Sequence, residues 1–350
     1  MAHPLYEVEE EILKRLDVKD LLRCKSVCKS WSSLISNQRF IKIHLDHHYA
    51  NDCDNERIGH RRITMSKEAD YISNQHFEFD RGFFELNDSH LLGSCNGLVC
   101  VSPSPSKILV INPSTREVKK VRKPRIPETD FLCWGFGYHS LTNDYKLVLG
   151  YKKDENHTCF QVFSLRSNMW KVIGEINYGF TSRVGILCKG ALHWLAYAFD
   201  ISSNVIVSFH FLEEKFLEFP MPHDVRYREL VTWKPFLMRL GNMNECLCLF
   251  PDVFLHDVWV MNKEQSWEVF GVEHAIKDDA VHNIKLLKNY VPHKRPLCHE
   301  IWSRNYWLRN SRVFLGTPIY VESLVSPHFH NKLQRKRMAT KIIKSPKVRF

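Results

Sequence analysis

The chain of 350 residues holds nineteen histidines and eleven cysteines, enough to build a metal site or a nucleophilic centre if their spacing allowed it. The spacing argues against both. No Cys-x2-Cys pair occurs, and Cys24/Cys28 and Cys95/Cys100 have no second pair to complete a tetrahedral set. Cys100, Cys246 and Cys248 sit inside apolar runs, where a reduced thiol packs as a small hydrophobe. Position 303 is Ser303, so His299-Glu300 lacks the second histidine of a zinc-protease helix. Gly135-Phe136-Gly137 is followed by Ser140 where a dinucleotide fingerprint needs a third glycine. Neither a phosphate-binding Gly-x4-Gly-Lys loop nor a Gly-x-Ser-x-Gly elbow is present. His193, between Leu192 and Trp194, reads as a core histidine, and Trp170, Trp194 and Trp267 read as packing aromatics rather than a sugar platform. The expectation is a chain without catalytic residues, metal or cofactor.

Charge is placed unevenly. Of the net +10, eight charges fall in residues 331–350, which contain no acid, leaving about +2 for the rest. That stretch reads as a solvated tail or, around Lys332–Arg337, as a nuclear localisation signal. It has no aromatic residue before Phe350, which disfavours nucleic-acid binding. No run of eighteen apolar residues occurs, so no membrane span is expected. Glu7, Glu9, Glu10 and Glu11 make the N-terminus unlike a secretory signal, and the expected location is the cytoplasm and/or nucleus. The sequons at Asn87 and Asn156 are then chance matches.

The elements that position these residues are of two kinds. Up to Leu45 the apolar spacing is helical. Val8, Ile12 and Leu16 repeat at i, i+4, i+8 with Leu13 beside them; Leu21 and Leu22 follow; Val27, Trp31 and Leu34 repeat at i, i+4, i+7. Residues 46–75 are polar and read as a linker. From residue 76 onward short β-branched and aromatic runs take over. Four of them share one plan, a strand, a polar turn and an apolar anchor: Val110–Val118, Val162–Trp170, Phe209–Phe216 and Trp259–Trp267. The anchors Val118, Trp170, Phe216 and Trp267 lie 52, 46 and 51 residues apart, close to the roughly 50-residue period of a kelch-type blade. Each hairpin follows another strand (Gly97–Val101, Tyr145–Leu149, Ala191–Leu195, Cys246–Phe250), so each unit has at least three strands, with about five or six units over 80–325. The regular spacing favours a propeller over a β-sandwich with irregular hairpins.

The first segment resembles the F-box. Its residues are Leu5, the Ile12-Leu13 pair, Leu21-Leu22-Arg23, Val27-Cys28-Lys29-Ser30-Trp31 and the Leu34-Ile35 pair, with Tyr6 and Asp17 standing where that family usually has proline. The remainder is similar to the plant F-box-associated domain, which is kelch-like. Gly93–Cys100, Asn112–Arg116, Gly135–Tyr138, Asp144–Val148, Gly190–Trp194 and Tyr320–Leu324 carry that likeness. The implied fold class is α+β multidomain: small all-α F-box helices followed by an all-β domain, a kelch-like β-propeller. The expected organisation is an F-box over 1–45, a linker over 46–75, the F-box-associated domain over 76–326 and a basic tail over 327–350.

The resemblance implies a non-catalytic receptor subunit. Its helices would bind a Skp-type adaptor and through it a cullin and RING ligase, the SCF assembly, and its β domain would hold a protein substrate for ubiquitination. Three short helices bury too little apolar surface alone, so a partner is physically expected. Leu5, Ile12, Leu16, Leu22, Val27 and Trp31 are the expected adaptor-contact or supporting residues, Val27 and Trp31 alternatively packing only the F-box core. Substrate would dock on loops of one propeller face, with Lys152–His157, Asp200–Asn204 and Pro222–Tyr227 as candidates. Two other functions stay open: an interaction module that works without an adaptor, and a propeller lectin or enzyme.

Overall fold

A computed structural model of the chain describes residues 4–51, 61–64, 76–78, 90–104, 107–122, 124, 131–154, 157–233, 238–243, 246–251, 257–262, 264–271, 313–314 and 319–328. Four helices come first: α1 (Pro4–Leu13), α2 (Val18–Cys24), α3 (Lys29–Ile35) and α4 (Gln38–Asn51). Their starts are set locally. Asp17 caps α2 by accepting from the Asp20 amide at 2.8 Å, the Cys28 thiol accepts from the Trp31 amide at 3.4 Å, and Asn37 accepts from the Arg39 amide at 2.9 Å. Asp17, in a position where proline is usual, therefore supplies a helix cap. Helices of one or two turns do not hold alone. These gather around Leu13, Val18, Leu21, Leu34, Ile35 and Phe40.

The helix α4 continues past residue 45, the expected end of the helical segment. Phe40, His44 and Leu45 bury one side of it, and in the next turn His47 and His48 are half-buried, with His48 Nε2 3.0 Å from His44 Nε2. The stretch expected as a linker also contributes a strand, β1 (Arg61–Thr64), which pairs with a strand near the C-terminus.

The β-rich region is built of antiparallel sheets. After β1 comes β2 (His76–Glu78), parallel to it. The first blade is β3 (His90–Cys95), β4 (Leu98–Ser104), β5 (Lys107–Asn112) and β6 (Glu117–Val121). The second is β7 (Phe131–His139), β8 (Asp144–Lys152), β9 (Thr158–Ser164) and β10 (Met169–Ile176). The third holds β11 (Tyr178–Phe180), β12 (Ile186–Cys188), β13 (Ala191–Ala198), β14 (Ser203–His210) and β15 (Lys215–Phe219). Helix α5 (Val225–Trp233) leads to the fourth: β16 (Met238–Met243), β17 (Cys246–Pro251), β18 (Asp257–Met261) and β19 (Trp267–Gly271). Finally β20 (Val313–Phe314) pairs with β16, and β21 (Ile319–Tyr320) pairs with β1. The opening strands lie side by side, β3 by β7, β7 by β12 and β12 by β16, which is the radial packing of a propeller.

The sequence pattern follows from this packing. Middle strands are covered on both faces by neighbouring blades, so β8 and β9 are buried almost throughout, whereas the outer strand β10 is buried nowhere along its length. The four expected hairpins are β5–β6, β9–β10, β14–β15 and β18–β19. In each, the residue two before the anchor takes a left-handed backbone: Arg116, Asn168, Glu214 and Gln265, with φ from 53° to 62°. Gly135 and Gly137 are there for close approach; an added Cβ would come within 2.6 Å of Leu192 and 2.7 Å of Phe211 in the next blade.

Candidate functional site

On the helical segment the core claims Leu13, which is fully buried, and leaves the other side of α1 in solvent. Val8 and Ile12, one turn apart, are 55% and 57% exposed, and Val27 between α2 and α3 is 65% exposed. Of the residues expected at a contact surface, Ile12 and Val27 are therefore open, while Leu16, Leu22 and Trp31 are half-buried against the core. The side chain of Leu5 lies outside the described residues. Val8 belongs to the same apolar stripe, one turn before Ile12, and that spacing is the sequence signal for its place beside Ile12 in solvent.

Polar ties hold this surface. Arg39 on α4 reaches Glu10 on α1 at 3.5 Å, and Lys14 pairs with Glu11 at 2.6 Å, holding that carboxyl below its ordinary range. His44 is buried with Nε2 2.9 Å from the Leu16 carbonyl, fixing α4 against the corner between α1 and α2. Burial lowers its pKa to about 4, so the ring is neutral near pH 7.

Segment 321–328 connects helices and blades. Leu324 joins the helical core, and Val325 packs against the core between the first two blades. Ser323 is fully buried and donates from Oγ to the Asn96 carbonyl at 2.7 Å. Asn112, also fully buried, donates from Nδ2 to the carbonyls of Ser323 at 2.9 Å and Val325 at 2.6 Å. Its Oδ1 accepts from the amides of Ser114 at 2.8 Å and Thr115 at 3.2 Å, so all four of its hydrogen-bonding positions are used.

The blades are stapled by indole N–H groups. Trp170 donates to the Arg122 carbonyl at 2.6 Å and Trp267 to the Pro220 carbonyl at 3.0 Å, in both cases the residue just after the preceding blade's outer strand. Trp194 donates to Trp134 and Trp134 to Leu91, linking the first three blades. Lys146 reaches from the second blade to the Phe211 carbonyl at 2.6 Å and Glu214 at 2.7 Å, and Lys171 joins Glu214 as well. The tryptophans expected as packing aromatics are inter-blade ties.

Antiparallel neighbours sort the connections onto two faces. Turns at Asn96, Asn143 and Lys189, and the four outer turns, lie on one face, where segment 321–328 and the helices sit. Turns between second and third strands, and the blade-to-blade connections, lie on the opposite face. All three loops expected to hold substrate fall on that opposite face, although 155–156 are outside the described residues. Exposed Phe199, Ile201 and Val225 lie there, with Tyr197 edge-on to Phe199 at 5.7 Å.

Nine cysteines among the described residues are free thiols, and burial pushes Cys95 up to about 12 and Cys100, Cys133 and Cys248 upward too, away from thiolate. Burial lowers His193 to about 4, and it faces the Ile186 carbonyl at 3.3 Å. Among the described residues no cluster of three His, Cys, Asp or Glu could hold a metal ion, and no helix is long and apolar enough to cross a membrane. The basic stretch 331–350 lies outside the described residues.

Comparison with known proteins matches residues 6–43 to the F-box domain and residues 54–292 to the F-box associated beta propeller domain. The F-box protein CPR1 of Arabidopsis thaliana is 29% identical over 313 residues, covering 78% of this chain and 74% of its own length. An Arabidopsis thaliana F-box/kelch-repeat protein is 30% identical over 285 residues, covering 73% of this chain and 75% of its own. Another F-box protein from the same plant is 28% identical over 329 residues, covering 83% and 82%.

Proposed function

The chain belongs to the F-box proteins that carry an F-box-associated β-propeller domain, and from that premise we propose that it is the substrate-recognition subunit of an SCF-type ubiquitin ligase, working in the cytoplasm or nucleus. The observation that carries the reading is the set of apolar side chains the helical segment leaves open, Val8 and Ile12 one turn apart on α1 and Val27 just after α2. The small helical core is complete without Val8, Ile12 and Val27, yet all three are left in water. Neighbouring apolar residues left open, as Val8 and Ile12 are, mark a partner site, and the F-box supplies the partner's kind, a Skp-type adaptor. Leu5, Leu16, Leu22 and Trp31 then serve as contact or support residues.

The ligase chemistry is left to its other subunits. This chain raises the effective concentration of a substrate lysine near a charged ubiquitin carrier. The substrate docks on the face turned away from the helices, at the loops 152–157, 200–204 and 222–227. The exposed Phe199 and Ile201 support it.

The test is binding of the full chain to a Skp-type adaptor, with Ile12→Asp/Val27→Asp as the comparison. Each aspartate replaces a solvated apolar side chain, so folding stability should change by less than about 0.5 kcal/mol. Adaptor affinity should fall by about tenfold or more, because a charge is buried unpaired at the contact. A folded wild-type chain that fails to bind would instead point to an interaction module that works alone.

A further inference from the structure

Segment 319–328 meets both halves of the molecule through independent contacts. Leu324 is 4% exposed and completes the helical core beside Leu13, Ile35 and Phe40. Its neighbour Val325 packs on the blades. Ser323 between the halves is bonded to the Asn96 carbonyl, and its own carbonyl receives the Asn112 amide. Just before them, β21 pairs with β1, the first strand after α4. One covalent connection leaves two domains free to reorient, and a modest interface does not by itself stop them. A second attachment at a different point removes that freedom.

We infer that segment 319–328 is a clasp that sets the orientation of the helices on the first blade, with Ser323, Asn112 and Gly97 as its positioning residues. Gly97 is part of the device because the clasp lies directly on it. A Cβ there would come within 2.1 Å of Ser323 Oγ and 2.6 Å of the Val321 carbonyl, and its φ of +78° already favours glycine. The helices need Leu324 to close their core, and the clasp needs the blade turns to hold it in place. Each half therefore stabilises the geometry of the other. The functional consequence rests on the receptor reading above: a fixed angle between adaptor and substrate face restricts which substrate lysines reach the ubiquitin carrier.

The clasp itself is tested without a substrate. Spin labels are placed on the full chain at Lys42 on α4 and Glu213 in the outer turn of the third blade, both exposed. Noncanonical residues carry the labels, since eleven native cysteines rule out thiol chemistry. Pulsed dipolar spectroscopy should give one narrow distance distribution for the otherwise unaltered chain. Gly97→Ala wedges the clasp away and Ser323→Ala removes its bond to Asn96; each should widen the distribution by about twofold or more. Circular dichroism identifies a variant that has unfolded, in which case Ser323→Ala, the loss of a single hydroxyl, decides. An unchanged width in the folded variants, or a broad distribution before any change, overturns the clasp and leaves the receptor reading intact. Failure of the unaltered chain to bind adaptor, with narrow and then widened distances, does the reverse.

Discussion

Asn112 offers the sharpest quantitative test of how the two halves are joined. It lies 211 residues from Ser323 in sequence and is fully buried, with two donated and two accepted hydrogen bonds. A satisfied bond contributes about 1 kcal/mol net, and a buried partner left unpaired costs about 1–3 kcal/mol. Asn112→Ala should therefore cost roughly 3–5 kcal/mol, since the carbonyls of Ser323 and Val325 both lose their donor. Asn112→Asp separates the two roles of the side chain. It keeps an acceptor for the Ser114 and Thr115 amides, so the turn survives, but it sets a carboxylate against two carbonyl oxygens. At neutral pH it should cost at least as much as the alanine. Burial and the carbonyls raise the folded pKa of that carboxyl above its unfolded value of about 3.9. The variant is thus least impaired relative to the native chain below that value, and the deficit grows as pH rises through the folded pKa. Urea unfolding at pH 4 and pH 7 measures the deficit, and amide exchange of α2, α3 and the β5–β6 turn locates it. An Asn112→Asp chain as stable as the native one at pH 7 would refute the reasoning.

Other consequences follow from single groups. Asp17→Ala should cost about 1 kcal/mol by uncapping α2, read as faster amide exchange at Asp20 with the blades unaffected. Trp170→Phe and Trp267→Phe keep a ring but remove the N–H staples to Arg122 and Pro220, and thermal unfolding should show a loss of about 1 kcal/mol for each. Burial holds His44 and His193 at about 4, below the ordinary 6.5, so the unfolded chain binds more protons than the folded one between those values. Stability should therefore fall on acidification from about pH 6.5 toward 4, and His44→Gln/His193→Gln should flatten that part of the profile in denaturant titrations at several pH values.

Local signals determined much of this protein. The spacing of Val8, Ile12 and Leu16 and of Val27, Trp31 and Leu34 marks helices, because an apolar stripe repeats within a few residues. The anchors Val118, Trp170, Phe216 and Trp267 mark the hairpins for the same reason: a short turn and the strands beside it are read from neighbours in the chain. The family likeness rests on these same short stretches, and so was legible from the start.

Only the tertiary structure decided which side of each element met what. The spacing of Val8, Ile12 and Leu16 announced a stripe, yet the core took Leu13 and left Val8 and Ile12 in solvent. Residues 46–75 looked like a linker because the strand β1 finds its partner at β21, more than 250 residues away, and no local pattern records that pairing. The fourth strand of each blade unit, the face on which each loop lies, and the meeting of Leu324 with the helical core depend likewise on contacts between distant parts of the chain. A sequence states what each residue prefers within its own turn or strand; which distant surface satisfies that preference is chosen only when the whole chain buries its apolar area together.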